Sequence, residues 1–541
     1  MPKRPSKSSL SESAPVPALS LKEKLAAKRK ASQTRKELIS FLPVAMIVAI
    51  VAGLLMAIVG GVKGGAGGGL AIFILMFSFK YPWQALYAFL IYMPFSGTVT
   101  YAIGGNNPLF QLAKDGFYIP ALIAVIQHCK LHKQPFLMPK ALKPALGIFL
   151  AYCILVLLFV NGSQQFAGNG SEKPFFMGIL GIKVLLGYVP LIPCAYYLLR
   201  KKADLYLLMR ITAVIILICC GLAFLQYIFL KTGRCQGTVG EGAALFKASL
   251  EARCLVGGSL LYNEEQGVIR LPGTFVAPWQ WGWFLISSAF FSFSVAFMDP
   301  SFLWRGVGLG SMAATLVLAV VSGQRIALLL VPIAIVILLI TTGQVVNLKR
   351  FVPIGLALGL LIGGVMVSNP ALVEQRWTSA VERWNAAPPT DFIAGQFADF
   401  SEDGKSSFLG RGLGRATNSA RGLGQTALIE TYYPKLIFEI GPMGAFLFLA
   451  LVTTLTVATF KAYRSLRDKS LRGYGASFWT FVLVISYNTY YYPLDVDPVA
   501  VYYWFFAGVI LKLPVLDQQE PTVIADSTSK RKTRRTIAPD P

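Results

Sequence analysis

Long apolar segments alternate with short polar connections along most of the chain. A membrane-spanning helix needs about 20 mostly apolar residues, within a range of roughly 17 to 25. By that rule the pattern predicts about 14 spans, or about 12 if the shorter segments are re-entrant. The predicted segments lie near residues 41–62, 66–79, 81–97, 112–129, 144–161, 175–199, 211–230, 276–298, 304–321, 325–342, 351–368, 436–460, 473–493 and 497–512. The predicted fold is an all-α polytopic integral membrane protein.

The two ends of the chain are polar and basic. Residues 1–40 are rich in Ser, Pro, Ala and Lys, and residues 513–541 include the run SKRKTRRT. Such compositions are typical of disordered segments. Both ends are therefore predicted to be disordered cytoplasmic tails that flank a transmembrane helical domain at residues 41–512. The first apolar segment is too long for the core of a signal peptide, which predicts a retained helix.

The composition supports a membrane protein and gives it an orientation. Apolar residues make up 55% of the 541 residues and charged residues only 14%, whereas soluble domains average about 45–50% apolar residues. The net charge is +24, and Lys and Arg gather in alternate connections such as HCKLHKQPFLMPKALK and KAYRSLRDKSLR. Basic loops mark the cytoplasmic side of a membrane protein. The pattern predicts a multi-pass protein of the bacterial cytoplasmic (inner) membrane with both termini in the cytoplasm, in contact with membrane lipids and with no nucleic-acid partner.

Two connections are long, and the alternation places both on the periplasmic side. They are residues 231–275 and 369–435. Connections longer than about 12–15 residues in a compact protein are usually functional, so the chemistry is expected there. Within the second loop, residues 369–387 place Val and Trp at helical spacing among charged residues. This pattern predicts an amphipathic helix on the bilayer surface.

Cysteines and histidines give little sign of redox or metal chemistry. Cys235 and Cys254 share the first long loop, and an oxidising periplasm favours a disulfide between them. The only two histidines, His128 and His132, flank a basic cytoplasmic connection, and no cluster of Cys, Asp or Glu joins them in sequence. Neither a metal site nor another cofactor is expected.

The stretch FLGRGLGRATNSARGLGQT, residues 408–426, is the most unusual part of the second loop. It lacks the Gly-x-x-x-x-Gly-Lys-Ser/Thr pattern of a nucleotide-binding loop. Gly412 and Gly414 allow backbone N–H groups to approach an anion closely, and arginine binds phosphate oxygens in a bidentate manner. The stretch is therefore either a phosphate-binding loop or a flexible linker whose arginines are solvated, the arginines being Arg411, Arg415 and Arg421.

Two further arginines lie at the same predicted membrane boundary. Arg270 precedes a Gly-Thr-Phe turn in VIRLPGTF, and Arg325 ends the tight turn Ser-Gly-Gln-Arg between two predicted helices. A single arginine at a boundary often only extends its charge toward water. Several arginines on one side of the membrane, with Lys183 at the end of another span, fit the binding of an anionic headgroup better than they fit separate boundary arginines.

The order of these motifs resembles that of the O-antigen ligase and polysaccharide polymerase family. The shared features are Arg-x-x-Gly-Thr-Phe, Ser-Gly-x-Arg two helices later, Gly-x-Gly-x-Gly in a long outer loop, and Glu-x-Gly-x-x-Gly at Glu439–Gly444. The resemblance covers roughly residues 270 to 460. It implies an integral membrane glycosyltransferase that takes a glycan from a polyprenyl-diphosphate carrier at the periplasmic face and transfers it to a glycan or lipid acceptor.

The resemblance also implies roles for particular residues. Arg270 and Arg325 would contact the donor diphosphate and assist catalysis. The glycine-rich stretch, including Gly412 and Gly414, would line the same cavity and bind the diphosphate together with Arg411 and Arg415.

This sequence departs from the family at the expected catalytic base. The family commonly has His-Asn-x-Tyr before the Glu-x-Gly-x-x-Gly helix, whereas Glu430, Thr431 and Tyr433 occupy the corresponding positions here. A partly buried carboxylate can accept the proton of an acceptor hydroxyl, so Glu430 is the candidate base. Two alternatives are that Glu430 only pairs with an arginine, or that the acceptor needs no base.

The predicted reaction is a metal-independent, inverting transfer by a polysaccharide polymerase or ligase. Two other classes stay open. One is a transporter or flippase for lipid-linked sugar, which usually carries internal repeats and ionisable residues near the bilayer midplane. The other is a non-catalytic partner of a polysaccharide export system, an alternative that is consistent with the absence of the family's histidine before Glu439.

Overall fold

The computed structural model describes residues 21–105, 110, 113–136, 139–167, 171–238, 248–264, 268–345, 374, 378, 381, 385, 388–402 and 408–519. This part of the chain is almost entirely helical. Its α-helices are α1 (Leu21–Lys80), α2 (Pro82–Tyr92), α3 (Ala113–Leu131), α4 (Leu142–Val156), α5 (Gly162–Ala167), α6 (Pro174–Leu186), α7 (Leu191–Leu198), α8 (Lys202–Lys231), α9 (Pro278–Met298), α10 (Phe302–Val321), α11 (Arg325–Thr341), α12 (Pro389–Glu402), α13 (Tyr432–Arg464), α14 (Lys469–Tyr487) and α15 (Val499–Asp517). The antiparallel strands β1 (Leu261–Asn263) and β2 (Val268–Arg270) form a small hairpin.

Nine helical stretches in the described residues are long and apolar enough to cross a membrane. The prediction of an all-α multi-pass membrane protein is therefore confirmed at this level. The nine are Lys36–Ile58, Gly60–Lys80, Leu142–Ala167, Pro174–Leu198, Lys202–Lys231, Pro278–Met298, Phe302–Val321, Tyr432–Arg464 and Val499–Asp517.

The other predicted spans differ in their outcome. The segment at 81–97 forms the 11-residue helix α2, which continues as a 3₁₀ turn at Met93–Phe95 and a π-helix at Thr98–Ile103. The segments at 112–129 and 473–493 form the 19-residue helices α3 and α14, which are not among the nine. Helix α11 is a shorter apolar helix of 17 residues. The predicted span at 351–368 lies outside the described residues. The amphipathic helix predicted at 369–387 also lies outside them, apart from residues 374, 378, 381 and 385, which are helical.

At both ends of the chain, the prediction assigned disorder to residues that are helical in the structure. Helix α1 begins at Leu21 and α15 continues to Asp517, so residues 21–40 and the residues just after 512 are helical. The physical reason at the first end is composition, because LKEKLAAKRKASQTRKEL is rich in Leu, Ala, Lys and Glu, which favour helices.

Helix α9 is the centre of the bundle. Every residue in its most apolar stretch is buried, and it packs against α8, α10, α11, α14 and α15. An all-round apolar helix of this kind belongs in a core. Some of its buried serine hydroxyls are satisfied within the helix, because they donate to carbonyls one turn earlier. Ser287 donates to the Trp283 carbonyl and Ser294 to the Phe290 carbonyl, each at 2.8 Å.

The connections between helices gather at two ends of the bundle, which we call the loop end and the opposite end. The loop end contains residues 232–238, 248–264, 268–277, 322–324, 408–431 and 488–498. Hydrogen bonds join the segment at 268–277 to that at 322–324, and the segment at 408–431 to that at 488–498. The opposite end contains residues 132–136, 139–141, 199–201, 299–301 and 465–468. Ion pairs fasten the opposite end, including Lys202 with Asp468 at 2.9 Å and Arg210 with Asp299 at 2.8 Å.

Candidate functional site

The β-hairpin at the loop end carries Arg270. The two strands are antiparallel, and Arg270 lies opposite Leu261 in their register. The Arg270 side chain is half-buried, and its guanidinium has no ion-pair or hydrogen-bond partner among the described residues. A fixed cation without a carboxylate partner remains available to an anionic ligand.

The turn before α11 packs directly on strand β2. The Leu271 N–H donates a hydrogen bond to the Ser322 carbonyl at 3.0 Å. A Cβ at Gly323 would collide with the backbone of β2, so a larger residue would push the two segments apart. The backbones that carry Arg270 and Arg325 therefore meet at one place, although the two residues are far apart in sequence.

The Gly-Thr-Phe turn after Arg270 is held by the N-terminal third of the chain. The Thr274 hydroxyl donates to the Pro94 carbonyl at 2.5 Å, and the Thr98 N–H donates to the Thr274 carbonyl at 3.0 Å. The backbone at Gly97 lies so close to the Phe275 carbonyl that a Cβ would not fit. This buried turn fixes the position of the strand that ends at Arg270.

Glu430 lies at the loop end, at the beginning of α13. The Tyr491 N–H donates to the Glu430 carbonyl at 3.0 Å, and the Tyr432 N–H donates to the Thr489 carbonyl at 2.6 Å. These bonds place the half-buried Glu430 beside three consecutive tyrosines, residues 490–492.

Tyr490 connects Glu430 to Arg325 electrostatically. Burial, the neighbouring Tyr491 and the Glu430 carboxylate raise the pKa of Tyr490 to about 12, and the Arg325 cation acts in the opposite direction. Both charges therefore lie within electrostatic range of the Tyr490 hydroxyl. The predicted base and one predicted diphosphate ligand thus act on the same tyrosine.

Tyr492 adds a second arginine to this group. Burial and the Glu430 carboxylate raise the pKa of Tyr492, while a hydrogen bond with Asn418 and the Arg421 cation oppose that shift. The sequence resemblance assigned no diphosphate contact to Arg421. We call the group formed by Glu430, Tyr490, Tyr491, Tyr492, Arg325 and Arg421 the tyrosine cluster.

The backbone of the tyrosine cluster is strained. Tyr491 and Tyr492 have φ angles of +55° and +33°, a region that bulky residues rarely adopt. The Trp283 indole N–H donates to the Tyr491 carbonyl at 3.1 Å and helps to hold this geometry. Such strain costs of order 1–3 kcal/mol per residue and is often found at functional sites.

The glycine-rich stretch at 408–426 wraps around a carboxylate of the protein itself. The Ala416 N–H and the Thr417 hydroxyl donate to Glu439 Oε1 at 2.7 and 3.0 Å. The Gly412 N–H donates to the Glu439 carbonyl at 3.0 Å. These donors are therefore already used within the chain, and the anion they hold here is Glu439.

The glycines of this stretch are also needed for packing. Gly412 and Gly414 have φ angles of +107° and +82°, which favour glycine over residues with a side chain. A Cβ at Gly414 would collide with the Met177 carbonyl, and one at Gly412 would come within 3.1 Å of the Asn161 amide. Asn161 fixes the stretch by accepting a hydrogen bond from the Leu413 N–H at 2.9 Å. The predicted diphosphate contact of Gly412 and Gly414 stays a prediction.

The two predicted arginine ligands of this stretch differ in their availability. Arg415 pairs with Glu172 at 2.7 Å and donates two hydrogen bonds to the side-chain oxygen Oε1 of Gln164 at 2.9 and 3.1 Å. Arg411 is exposed, and its guanidinium lies 5.5 Å from the centre of the Phe438 ring. Arg411 is thus the better placed of the two to bind a ligand, and Arg415 mainly holds the loop.

Protonation of Glu172 is expected to loosen this loop. The Gln425 N–H and the Arg415 guanidinium hold the pKa of Glu172 below its ordinary value, so its contribution is present above about pH 4.3 and is lost as pH falls through the lowered value. In Glu172→Gln, hydrogen exchange of residues 411–425 should be faster than in the wild type at about pH 7, and the difference should disappear as the pH falls through the lowered pKa of Glu172. Glu264→Gln, a second loop-end carboxylate, is the control. Equal exchange of wild type and Glu172→Gln at neutral pH would contradict this role.

Three ion pairs lie near the connection at 490–498 and the beginnings of α3 and α13, and sequence reasoning missed most of them. Lys435 is 2% exposed and Lys114 is 24% exposed, whereas the Lys183 side chain is 48% exposed. The pairs are Lys435 with Asp495, Lys114 with Asp497, and Lys183 with Asp115, the last at 2.7 Å. The only sequence sign was two aspartates in LDVDP beside a predicted span. Lys183, predicted to help bind an anion, instead has an internal partner.

The cysteines and histidines lie away from this site. Cys235 and Cys254 form a disulfide within the loop before β1. The rings of His128 and His132 are 4.1 Å apart at the opposite end. Among the described residues, no group of three or more His, Cys, Asp or Glu side chains has the arrangement of a metal site.

Comparison with models of known protein families gives no match for this chain. Comparison with curated protein sequences gives none either. The function therefore has to be inferred from the residues of the site.

Proposed function

We propose that the protein is a glycosyltransferase that moves a glycan from a polyprenyl-diphosphate carrier to an acceptor hydroxyl. The observation that carries this proposal is the meeting of three distant segments at the loop end. Strand β2 with Arg270 packs on the turn with Arg325, and Arg325 and Glu430 act on the same tyrosine. Such a site suits this reaction because the cations can stabilise an anionic leaving group, and the carboxylate can accept the proton of the acceptor hydroxyl.

The proposed reaction is a single displacement. The acceptor oxygen attacks the anomeric carbon, and the bond from that carbon to the diphosphate oxygen breaks, so the diphosphate leaves with the electron pair. Glu430 takes the proton of the acceptor hydroxyl. Arg270 and Arg325 neutralise the charge that develops on the diphosphate, with Arg411 as a further ligand, and such fixed charges are among the largest contributions to catalysis. Attack from the opposite side inverts the anomeric centre.

The proposed setting is the bacterial inner membrane, crossed by about 14 helices with the loop end in the periplasm. Its support is the distribution of charge, since Lys and Arg crowd the connections of the opposite end, as in RKKAD and KAYRSLRDKSLR. Both termini would then be cytoplasmic. The donor would be a periplasmic lipid-linked glycan, and the acceptor a glycan or lipid.

A transporter or flippase for lipid-linked sugar is the second candidate. The observation that favours it is the buried ion pair between Lys435 and Asp495, because charges within a membrane protein often mark a substrate or proton pathway. Lys435 and Asp495 are 2% and 10% exposed. The pair lies near the loop end, beside the tyrosine cluster, which favours a role in shaping the transferase site.

Transfer by the purified protein tests the proposal. We expect the wild type, incubated with a polyprenyl-diphosphate glycan and an acceptor glycan, to form an extended product that mass spectrometry detects. Glu430→Gln should lower the rate by roughly 10²- to 10⁴-fold, the range for loss of a general base. Glu430→Asp should retain part of the activity because it keeps a carboxylate.

Three outcomes separate the alternatives. Glu264→Gln, which removes an exposed carboxylate elsewhere at the loop end, should leave the rate unchanged. If the wild type forms no product but moves the lipid-linked glycan across a vesicle membrane, the transporter candidate holds. If Glu430→Gln is as active as the wild type while Arg270 variants are not, the acceptor needs no base from Glu430.

A further inference from the structure

The opposite end of the molecule contains a cavity that the proposed transferase site does not use. Its volume is about 460 Å³, and it lies between the end of α3, the end of α7 and the last turns of α15. Its lining includes His128, Gln134, Tyr196, Tyr197, Arg200 and Lys512. The lining contains cationic and aromatic side chains and no carboxylate.

The two permanent cations of this cavity are held by aromatic rings rather than by acids. The Lys512 ammonium lies 4.6 Å from the centre of the Tyr196 ring, and the Arg200 guanidinium lies 5.2 Å from that of Trp83. Neither has an ion-pair or side-chain hydrogen-bond partner among the described residues. A cation over a ring is positioned while its N–H groups stay available.

Two carboxylates in the helices around the cavity are engaged with backbone groups. Asp204 accepts the backbone N–H groups of Arg200 and Lys201 at 2.9 and 3.0 Å. Asp517 accepts the backbone N–H groups of Arg467 and Asp468 at 2.7 and 3.1 Å. These acids cap the backbone around the cavity, and the positive charge inside it is left without a counter-charge.

The cavity itself is firmly built. The Tyr197 hydroxyl donates to the Pro135 carbonyl at 2.6 Å, which ties α7 to the connection after α3. The His128 ring packs edge-on against Trp83, with the ring centres 5.9 Å apart. The Arg200 carbonyl accepts from the Gln519 amide at 2.9 Å, which joins the end of α15 to the same place. Three separate parts of the chain therefore hold the cationic lining in position.

We propose that this cavity binds a phosphate group, with Arg200 and Lys512 as its ligands. Arg200 provides a planar donor set that matches phosphate oxygens, and Lys512 provides a second charge from another helix. Trp83, Tyr196 and Tyr197 have the character of residues at a membrane interface. Basic pockets between helices at that level commonly receive lipid headgroups. The phosphate comes from an anionic lipid or from a soluble phosphate, and binding distinguishes these two sources.

Direct binding tests the site and does not depend on glycan transfer. Purified full-length protein in a neutral detergent is titrated with phosphatidylglycerol, with phosphatidylcholine and with inorganic phosphate, and retained lipid is counted by native mass spectrometry. We expect phosphatidylglycerol or inorganic phosphate to bind. Arg200→Gln/Lys512→Gln should weaken that binding at least about tenfold, because two charge-assisted contacts are lost.

Matched variants make the result decisive. Lys140→Gln/Lys143→Gln removes two exposed charges from the same end outside the cavity and should change binding by less than about twofold. Arg200→Lys/Lys512→Arg keeps both charges, should retain binding and shows that the cavity still folds. Binding of phosphatidylglycerol alone identifies a lipid headgroup, and binding of inorganic phosphate identifies a soluble ligand. Absence of binding to either, or equal losses in the two Gln double variants, overturns the proposal.

Discussion

Arg270→Ala is expected to reduce glycan transfer at least about 100-fold without loss of folded protein, since removal of one fixed transition-state ligand typically costs 10²–10³ in rate. The Arg270 guanidinium is half-buried and has no partner among the described residues, so its charge is already in place when the diphosphate leaves. Arg270→Lys should have an intermediate rate, because lysine keeps the charge but not the bidentate geometry. The measurement is the initial rate of product formation from a polyprenyl-diphosphate glycan.

Arg234→Ala provides the control for Arg270. Arg234 is exposed at the loop end, and its guanidinium lies 5.3 Å from the centre of the Phe229 ring. Its loss removes the same charge from the same end but should leave the rate within about twofold, as expected of an exposed charge. If the two alanine variants lose activity equally, or if Arg270→Ala keeps full activity, Arg270 does not bind the leaving diphosphate.

Hydropathy alone could predict the fold class, for a physical reason. In lipid every backbone polar group must be satisfied within the chain, so a long apolar segment has to be helical. The segments expected near 276–298 and 304–321 accordingly appear as α9 and α10. Helix ends were less predictable, because α8 begins at Lys202 rather than near 211. Polar residues at a membrane boundary can extend a helix without belonging to the apolar segment.

The order of the arginine motifs pointed to segments that lie together in the structure. The segments of Arg270 and Arg325 meet, and Arg325 and Glu430 both lie within electrostatic range of Tyr490. The roles predicted for these three residues stay predictions. The three tyrosines that join them were missed, because aromatic residues beside a predicted span look like an interfacial belt. Their left-handed backbone at residues 491 and 492 has no sequence signature.

The internal partners of the glycine-rich stretch could not be read from the sequence. A glycine-rich loop with arginines indicates that an anion is bound, but not which one. Glu439 and Glu172 supply carboxylates from other segments, and such long-range contacts leave no local pattern. Arg411, which is exposed, is the part of the phosphate-loop hypothesis that this arrangement favours.

Lys435→Met is expected to destabilise the protein by about 3–5 kcal/mol, the cost of breaking a buried ion pair. Lys435 is 2% exposed, and its partner Asp495 is 10% exposed. Without the lysine, the Asp495 carboxyl group has no counter-charge in a site that water barely reaches. The unfolding midpoint of the detergent-solubilised protein should fall accordingly. Lys202→Met breaks a more exposed pair at the opposite end and should cost only about 0–1 kcal/mol.

The double variant Lys435→Met/Asp495→Leu separates a structural pair from a functional one. An apolar pair of similar volume can replace a buried ion pair at little cost, so the unfolding midpoint should return close to that of the wild type. If the pair only supports the tyrosine cluster, glycan transfer should return with stability. If it carries protons in a transporter, the double variant should be stable and inactive. A double variant as unstable as Lys435→Met would instead show that this site requires the ion pair itself.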